Sequence, residues 1–452
     1  MKVCQAFKFK LKTDKQIEQK LKEYSGCTRF VWNKALALVK DRLYGKEIDK
    51  TVTEKIRFFD RYSAPNYLPN YYDLAKMLVF WKSTKEYEFL NNVPSQTLQQ
   101  TLKNLQKAID SAFTKGNGIG FPRFKRKGKS QNSIRYPQGF KIESNRIFLP
   151  KIGWVKFFKS REITGTAKNV TVKQYADGWY ISVVSEQEID LKIPDYSNPV
   201  GIDAGVKKVL TLSNGVYFKP IDISKLERKL IKEQRKLSRK RHPTAENKSI
   251  KASKNFIKQK AKVAKIYKQI TDKRLDYLHK ITTAIAKNHG IIAVEDLKIK
   301  NMVKSAKGTL ENPGHNVNAK SGLNKSILTQ SWGTIFSLLE YKAAKFNKFF
   351  VKVAPNSTSQ TCPVCGFKHE DNRQSQSEFE CLKCHYKANA DLTASVNVLQ
   401  KALKELDITN EFALPQGLRE VTPVEYAPHT MKQELVRKRN RKDKQVALRE
   451  AV

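Results

Sequence analysis

The chain has 452 residues, of which 86 are Lys or Arg and 43 are Asp or Glu, giving a formal net charge of +43. An excess of that size calls for a polyanion, and nucleic acid is the natural one, because neutralising phosphates releases condensed counterions. Hydrophobic residues at 40% and aromatics at 10% exclude a basic disordered tail, no apolar run reaches the length of a bilayer span, and the length implies two or three domains.

With no secretory signal, a cytoplasmic location is expected, and no membrane role. Residues 3–11 alternate Phe7, Phe9 and Leu11 with Lys8 and Lys10, the period of a half-buried strand with a basic outer face. Ile17, Leu21, Tyr24, Phe30, Trp32 and Leu36 then mark an apolar helical stripe. Residues 46–93 mix aromatics and charges without a clear period and read as short helices and loops. Leu98, Leu102, Leu105 and Ile109 share one face of a further helix, for which Ser95 is the expected cap.

The segment FPRFKRKGKSQNSIRY interleaves Arg123, Lys125, Arg126, Lys127, Lys129 and Arg135 with Phe121, Phe124 and Tyr136. Cations for phosphates beside rings for bases is the composition of a nucleic-acid groove, although a solvated basic loop has it too. Strand-like stretches follow at 140–149, 153–158 and 169–185, the last folded back at Asp177-Gly178. With the first strand they suggest an N-terminal β-barrel domain, residues 1–12 and 117–196, interrupted by a helical insertion at 13–116.

From Pro199 the pattern changes. VGIDAGVKKVLTLSNGVYF predicts an apolar strand ending at Asp203, a second from Lys207 to Leu212, and a tight turn at Asn214-Gly215. Ile223, Leu226, Leu230 and Leu237 form a heptad-like seam in a run holding nine Lys/Arg and two Glu between 225 and 241. A second run carries Val263, Tyr267, Ile270, Leu278, Ile281 and Ile285 until Asn288-His289-Gly290 stops it. The two most simply form an antiparallel hairpin whose basic faces meet nucleic acid. GIIAVEDL supplies a strand ending at Glu295, residues 303–326 read as a mobile loop, SWGTIFSLLEYKAAKF as a helix and FFVKVA as a strand. LTASVNVLQKALKEL reads as an amphipathic helix through Leu392, Val396, Leu399 and Leu403, and the tail from 412 as largely disordered.

Four of the six cysteines stand as Cys362-x2-Cys365, fifteen residues, then Cys381-x2-Cys384, the spacing of a zinc ribbon. Four thiolates complete the tetrahedron of a closed structural Zn²⁺ site, which leaves no position for substrate; two disulfides are the alternative reading. His369 and His385 lie nearby but are surplus to a four-sulfur site.

Asp203 and Glu295 each close an otherwise apolar strand, and Asp391 opens an amphipathic helix. Singly, these acids could open a turn, end a strand or cap a helix. Jointly they suggest carboxylates around Mg²⁺ or Mn²⁺, and a pair of such ions roughly 4 Å apart can hydrolyse a phosphodiester.

The ordered motifs GIDAGVKKVLTLSNG, IIAVEDL, AKSGLNKSILTQSWGTIFSLLEYKA, TCPVCG…FECLKC and ADLTASVNVL, with FKFKLKTDKQ at the start and FPRFKRKGK before the barrel strands, resemble the TnpB family of transposon-encoded RNA-guided nucleases related to type V CRISPR effectors. The resemblance covers nearly the whole chain. It implies a multidomain α+β protein in which a RuvC-like, RNase H-type α/β nuclease domain (197–356 and 389–411) carries an inserted zinc ribbon (357–388). It assigns Asp203, Glu295 and Asp391 to the divalent-metal triad. It also implies a guide RNA from the transposon end, a double-stranded DNA target and recognition of a short flanking motif. The family's last motif has asparagine two places after the aspartate and then two alanines; here Thr393, Ala394 and Ser395 stand there, while Asn397 agrees. A guide-dependent repressor without cleavage and an RNase H-fold transposase are the alternatives.

Overall fold

The computed structural model describes residues 2–43, 68–114, 116, 118–188, 196–243, 250–408 and 424–426, and the tail expected to be disordered lies almost wholly outside them. The chain divides into two units, Met1–Asp190 and Leu191–Val452. No helix among the described residues is long and apolar enough to cross a membrane.

In the first unit, alternation governs strand β1 (Lys2–Leu11): Phe7, Phe9 and Leu11 are buried while Lys8 faces out. It pairs antiparallel along its length with β7 (Gly178–Glu188) and, at Lys10 and Leu11, with β5 (Gly153–Phe158). With β2 (Ser133–Tyr136), β3 (Lys141–Glu143), β4 (Arg146–Leu149) and β6 (Thr166–Tyr175), the order is β2-β6-β7-β1-β5-β4-β3. Among the described residues no pairing joins β2 to β3, which are the two outer strands of this seven-stranded order. Strand β2 falls inside the segment read as basic groove, its Ile134 and Tyr136 buried at period two.

Helix α1 (Lys15–Leu43) buries Leu21, Val31, Ala35 and Leu36, and α2 (Tyr71–Ser83) begins on a capping box made by Asn70 and Asp73. Helix α3 (Ser95–Phe113) buries Leu98, Leu102, Leu105 and Ile109, but its N-cap is Pro94. Ser95 is its first residue, and its hydroxyl accepts from Lys82 Nζ at 2.7 Å instead of capping. One apolar cluster contains Phe9 and Val183 from the sheet together with Leu36, Leu74 and Leu102 from the helices. The helices and the sheet therefore share one core.

The second unit is built on β8 (Val200–Asp203), β9 (Leu210–Leu212) and β10 (Val216–Phe218), antiparallel in turn, with β11 (Ile291–Glu295) parallel to β8 and β12 (Phe349–Val353) parallel to β11. The sheet order is β12-β11-β8-β9-β10, extended by a short strand at Val424–Glu425. Helix α4 (Ser224–Ser238) packs on α5 (Lys254–Asn288) through Ile223, Leu226 and Leu230 against Ile266 and Ile270; Leu237 is half-buried outside that cluster. Leu278, Ile281 and Ile285 of α5 join the sheet's core.

The segment expected as a mobile loop holds helix α6 (Val317–Gln330), followed at once by α7 (Trp332–Phe346). Polar contacts fasten α6 where apolar periodicity is weak: Lys320 Nζ donates to Met302 O at 2.7 Å and Asn324 Nδ2 to Val303 O at 3.1 Å. Helix α8 (Ala390–Glu405) was expected to be amphipathic, yet Leu392 through Leu399 are all buried. It is enclosed because β8 comes against one side at backbone distance: a Cβ on Gly201 would lie 2.0 Å from Ser395 O and 2.6 Å from Leu399 N. Only glycine leaves that space.

Gly201→Ala is therefore expected to push α8 off the sheet, costing about 3 kcal/mol or more, the upper range of overpacking changes. Thermal unfolding should show a drop of roughly 5 °C or more.

Candidate active site

Asp203 is the last residue of β8 and Glu295 the last of β11, and the register Val294↔Ile202 brings these two strand ends side by side. Asp391 is the second residue of α8, whose cap is Asn389, accepting from Leu392 N at 3.3 Å, so Asp391 is free of the capping duty. Glu295 and Asp391 lie close enough to Asp203 to act on its carboxyl. Asp203 is pushed up to about 7, first by burial and then by repulsion from Glu295 and Asp391, with Arg373 and the Ala204 amide pulling the other way. Burial also raises Glu295, against the Thr358 hydroxyl, which donates to its Oε1 at 2.5 Å, and against Lys401.

Two cations flank Asp391. Arg373 Nη2 lies 3.5 Å from its Oδ1 and Lys208 Nζ lies 3.9 Å from its Oδ2. Neither stood out in the sequence: Arg373 follows a single 3-10 turn at Glu370–Asn372, and Lys208 is one of two adjacent lysines in a turn.

The four cysteines converge, with every sulfur within 4.8 Å of the others and pairs at 3.6 Å (Cys362, Cys384) and 3.5 Å (Cys365, Cys381). Among the described residues they are the group of three or more potential ligand atoms drawn together so tightly; the three carboxylates do not make up such a group. The two knuckles match in backbone: Gly366 N donates to Cys362 O at 3.0 Å, and His385 N to Cys381 O at 2.9 Å. His385 thus stands at the left-handed corner that Gly366 supplies in the other knuckle, with φ of 56° and 71°. His369 caps the 3-10 turn by accepting from Asp371 N. A hairpin of β13 (Glu378–Glu380) and β14 (Lys387–Asn389) leads into α8.

In the first unit, Arg123, Arg126 and Lys129 line a cleft of about 670 Å³ with Lys40, Phe124 and Ser130, and Lys40 Nζ lies 4.8 Å from the Phe124 ring centroid. Lys127 is exposed, and Arg135 lies half-buried on β2. Lys125 points elsewhere. Its Nζ sits 3.6 Å over the Trp32 ring, burial lowers its pKa to about 8, and the Asn33 side chain bonds both its N–H and its carbonyl. Lys40, far away in sequence, joined the cleft with no signal but its charge.

Three family profiles match the chain: one described as "Probable transposase" over residues 182–306, one as "Cas12f1-like, TNB domain" over 332–398, and one as "Helix-turn-helix domain" over 1–47. The described part of that last stretch is a strand and one uninterrupted helix. The chain is 43% identical over 403 residues to "Putative RNA-guided DNA endonuclease InsQ" of Escherichia coli (strain K12), covering 88% of this chain and 92% of that protein. It is 30% identical to "Putative RNA-guided DNA endonuclease" of Streptomyces pristinaespiralis, over 89% of this chain and 90% of that protein. The structure of a Cas12f1-sgRNA-target DNA complex aligns with a TM-score of 0.42 at 14% identity, covering 88% of this chain and 98% of the other. Identity of this extent along nearly the whole length of InsQ means that the chain belongs to the TnpB family.

Proposed function

We propose that this protein is a transposon-encoded RNA-guided DNA endonuclease whose carboxylate triad hydrolyses the phosphodiester with divalent metal. The observation that carries the reading is that Asp203 and Glu295 stand at neighbouring strand ends, half-buried, with Asp391 near enough to act on Asp203. Hard oxygen donors gathered in this way fit Mg²⁺ or Mn²⁺. The names of the relatives supply the guide and the DNA target. Three antiparallel strands continued by two parallel ones, with acids at the ends of β8 and β11, support an RNase H-type reading of the second unit.

In this reading Asp203, Glu295 and Asp391 hold the cation. When bound, it supplies Lewis acidity and an acidified water. Arg373 and Lys208 limit the repulsion around Asp391 and offer donors to the oxygens of an approaching phosphate, the guanidinium through its planar fork. Guide pairing reads the target sequence, while the protein contacts backbone phosphates and a short flanking motif. The cleft at Arg123, Arg126 and Lys129 and the basic faces of α4 and α5 are the surfaces proposed for RNA or heteroduplex.

The cysteines fit Zn²⁺: a tetrahedron with arms of about 2.3 Å has edges of roughly 3.8 Å, close to the sulfur separations seen. All four positions are filled by sulfur, so the role proposed is structural, holding the segment between Glu295 and Asp391 in place.

Asp203→Ala is expected to lower DNA cleavage by more than about a thousandfold while guide-dependent DNA binding stays within about threefold. Cleavage that survives this change sinks the triad as the cutting site, whereas a parent protein that binds guide-matched DNA without cutting it makes the guide-dependent repressor the better reading. Replacing Arg123, Arg126 and Lys129 together by Ala should weaken RNA binding and flatten its log–log salt dependence by about three units in filter-binding titrations. Removing zinc with a chelator, then restoring Mg²⁺ alone, should abolish cleavage; unchanged rates with the zinc gone would show that the triad does not need the ribbon.

A further inference from the structure

We infer that Thr358 and Asn397 form a positioning relay for Glu295, so that the helix carrying Asp391 also sets the orientation of the second acid. The inference rests on the proposed metal site and adds to it two residues that touch neither metal nor substrate.

Helix α8 carries along one face Asn397, Gln400 and Lys401, and all three reach back to the segment that leads into the cysteines. Asn397 Nδ2 donates to Thr358 O and to Thr361 O, both at 2.7 Å, Gln400 Nε2 to Pro363 O at 3.0 Å, and Lys401 Nζ to Ala354 O at 3.2 Å. Asn397 is 3% exposed, among the Val, Leu and Ala side chains of the same helix. A buried amide in such surroundings is unfavourable unless its donors are satisfied, and here both hydrogens of one NH₂ group are used. Both partners are carbonyls, so the orientation of the amide follows from the network itself.

The object so held is a tight turn. Thr361 N and Oγ1 both bond Ser357 O, at 3.1 and 2.8 Å, and Thr358 lies inside that turn, 4% exposed. The Thr358 hydroxyl has one proton and two acceptors in reach, Glu295 Oε1 at 2.5 Å and Pro355 O at 3.1 Å. The shorter bond, to a carboxylate, is the stronger. A β-branched side chain has few rotamers to escape into, so fixing the Thr358 backbone fixes the direction of its hydroxyl. The path from Asn397 to Thr358 to the half-buried Glu295 is thus made of short bonds, its first two members nearly inaccessible, and it joins the two elements that bring the second and third acids. Partners of this kind, one shell out from a metal, change affinity by about 10–100-fold when removed.

The test is a Mn²⁺ titration of the full-length protein followed by electron paramagnetic resonance, with Asp203→Ala as the background for ions bound elsewhere. Thr358→Val keeps the shape and removes the hydroxyl; Thr358→Ser keeps the hydroxyl. The expected result is at least tenfold weaker Mn²⁺ binding for Val and binding within threefold of the parent for Ser, with zinc content unchanged in both. Parental affinity in the Val protein, or equal weakness in the Ser protein, would overturn the relay. These outcomes are separate from failure of the metal site, which would appear as Asp203→Ala binding Mn²⁺ as the parent does.

Discussion

Repulsion among three carboxylates is the constraint on which the second unit is built. Asp203, Glu295 and Asp391 have no attraction of their own to gather them: burial first, and then repulsion from the other two, pushes Asp203 up to about 7. They are kept together by structure that does not depend on their own interactions. The β8–β11 ladder sets two strand ends side by side, and the contact of α8 with the backbone of Gly201 brings the third acid to them. Arg373 and Lys208 offset part of the charge. In the proposed reading the geometry is thus prepared for a cation before one arrives, which is what gives affinity to a site built from few ligands.

The cysteine cluster belongs to the same construction. Its small apolar core contains Cys362, Phe379, Cys381 and Tyr386 but also Ala390, Leu392 and Val396, which are residues of α8. The cysteine segment therefore shares its apolar cluster with the helix that carries the third acid. Strands of three residues each, β13 and β14, bury too little to be stable alone. With the Zn²⁺ proposed for it, the four-sulfur cluster supplies the missing constraint together with the hydrogen bonds from Asn397 and Gln400.

Much of this was legible in the residues. Period-two alternation gave β1 away, apolar runs closed by an acid marked β8 and β11, and the paired Cys-x2-Cys spacing announced the cluster. What was hidden has a common physical cause: long-range polar contacts leave no period. Helix α6 is fastened by Lys320 and Asn324, so its sequence looks like a loop. The ends of the first sheet were hidden for a related reason, since strand count and turn signals do not report whether β2 and β3 pair, and helices packed on the sheet supply part of its apolar cover. Lys125 shows the limit of reading charge as surface: it stands in a basic run, yet its ammonium is committed to the Trp32 ring.

The charge distribution gives the two halves of the proposed reaction different controls. A chain of net charge +43 attracts any polyanion, and that attraction weakens with salt because it works through counterion release. Divalent cations are repelled by the same excess everywhere except where acids are concentrated. At Asp203, Glu295 and Asp391 burial shields the local field from bulk screening, so cation affinity there depends less on salt than nucleic-acid affinity does. Nucleic-acid capture and bond cleavage are thereby separable by ionic strength, which follows from placing a few half-buried acids inside a strongly basic protein.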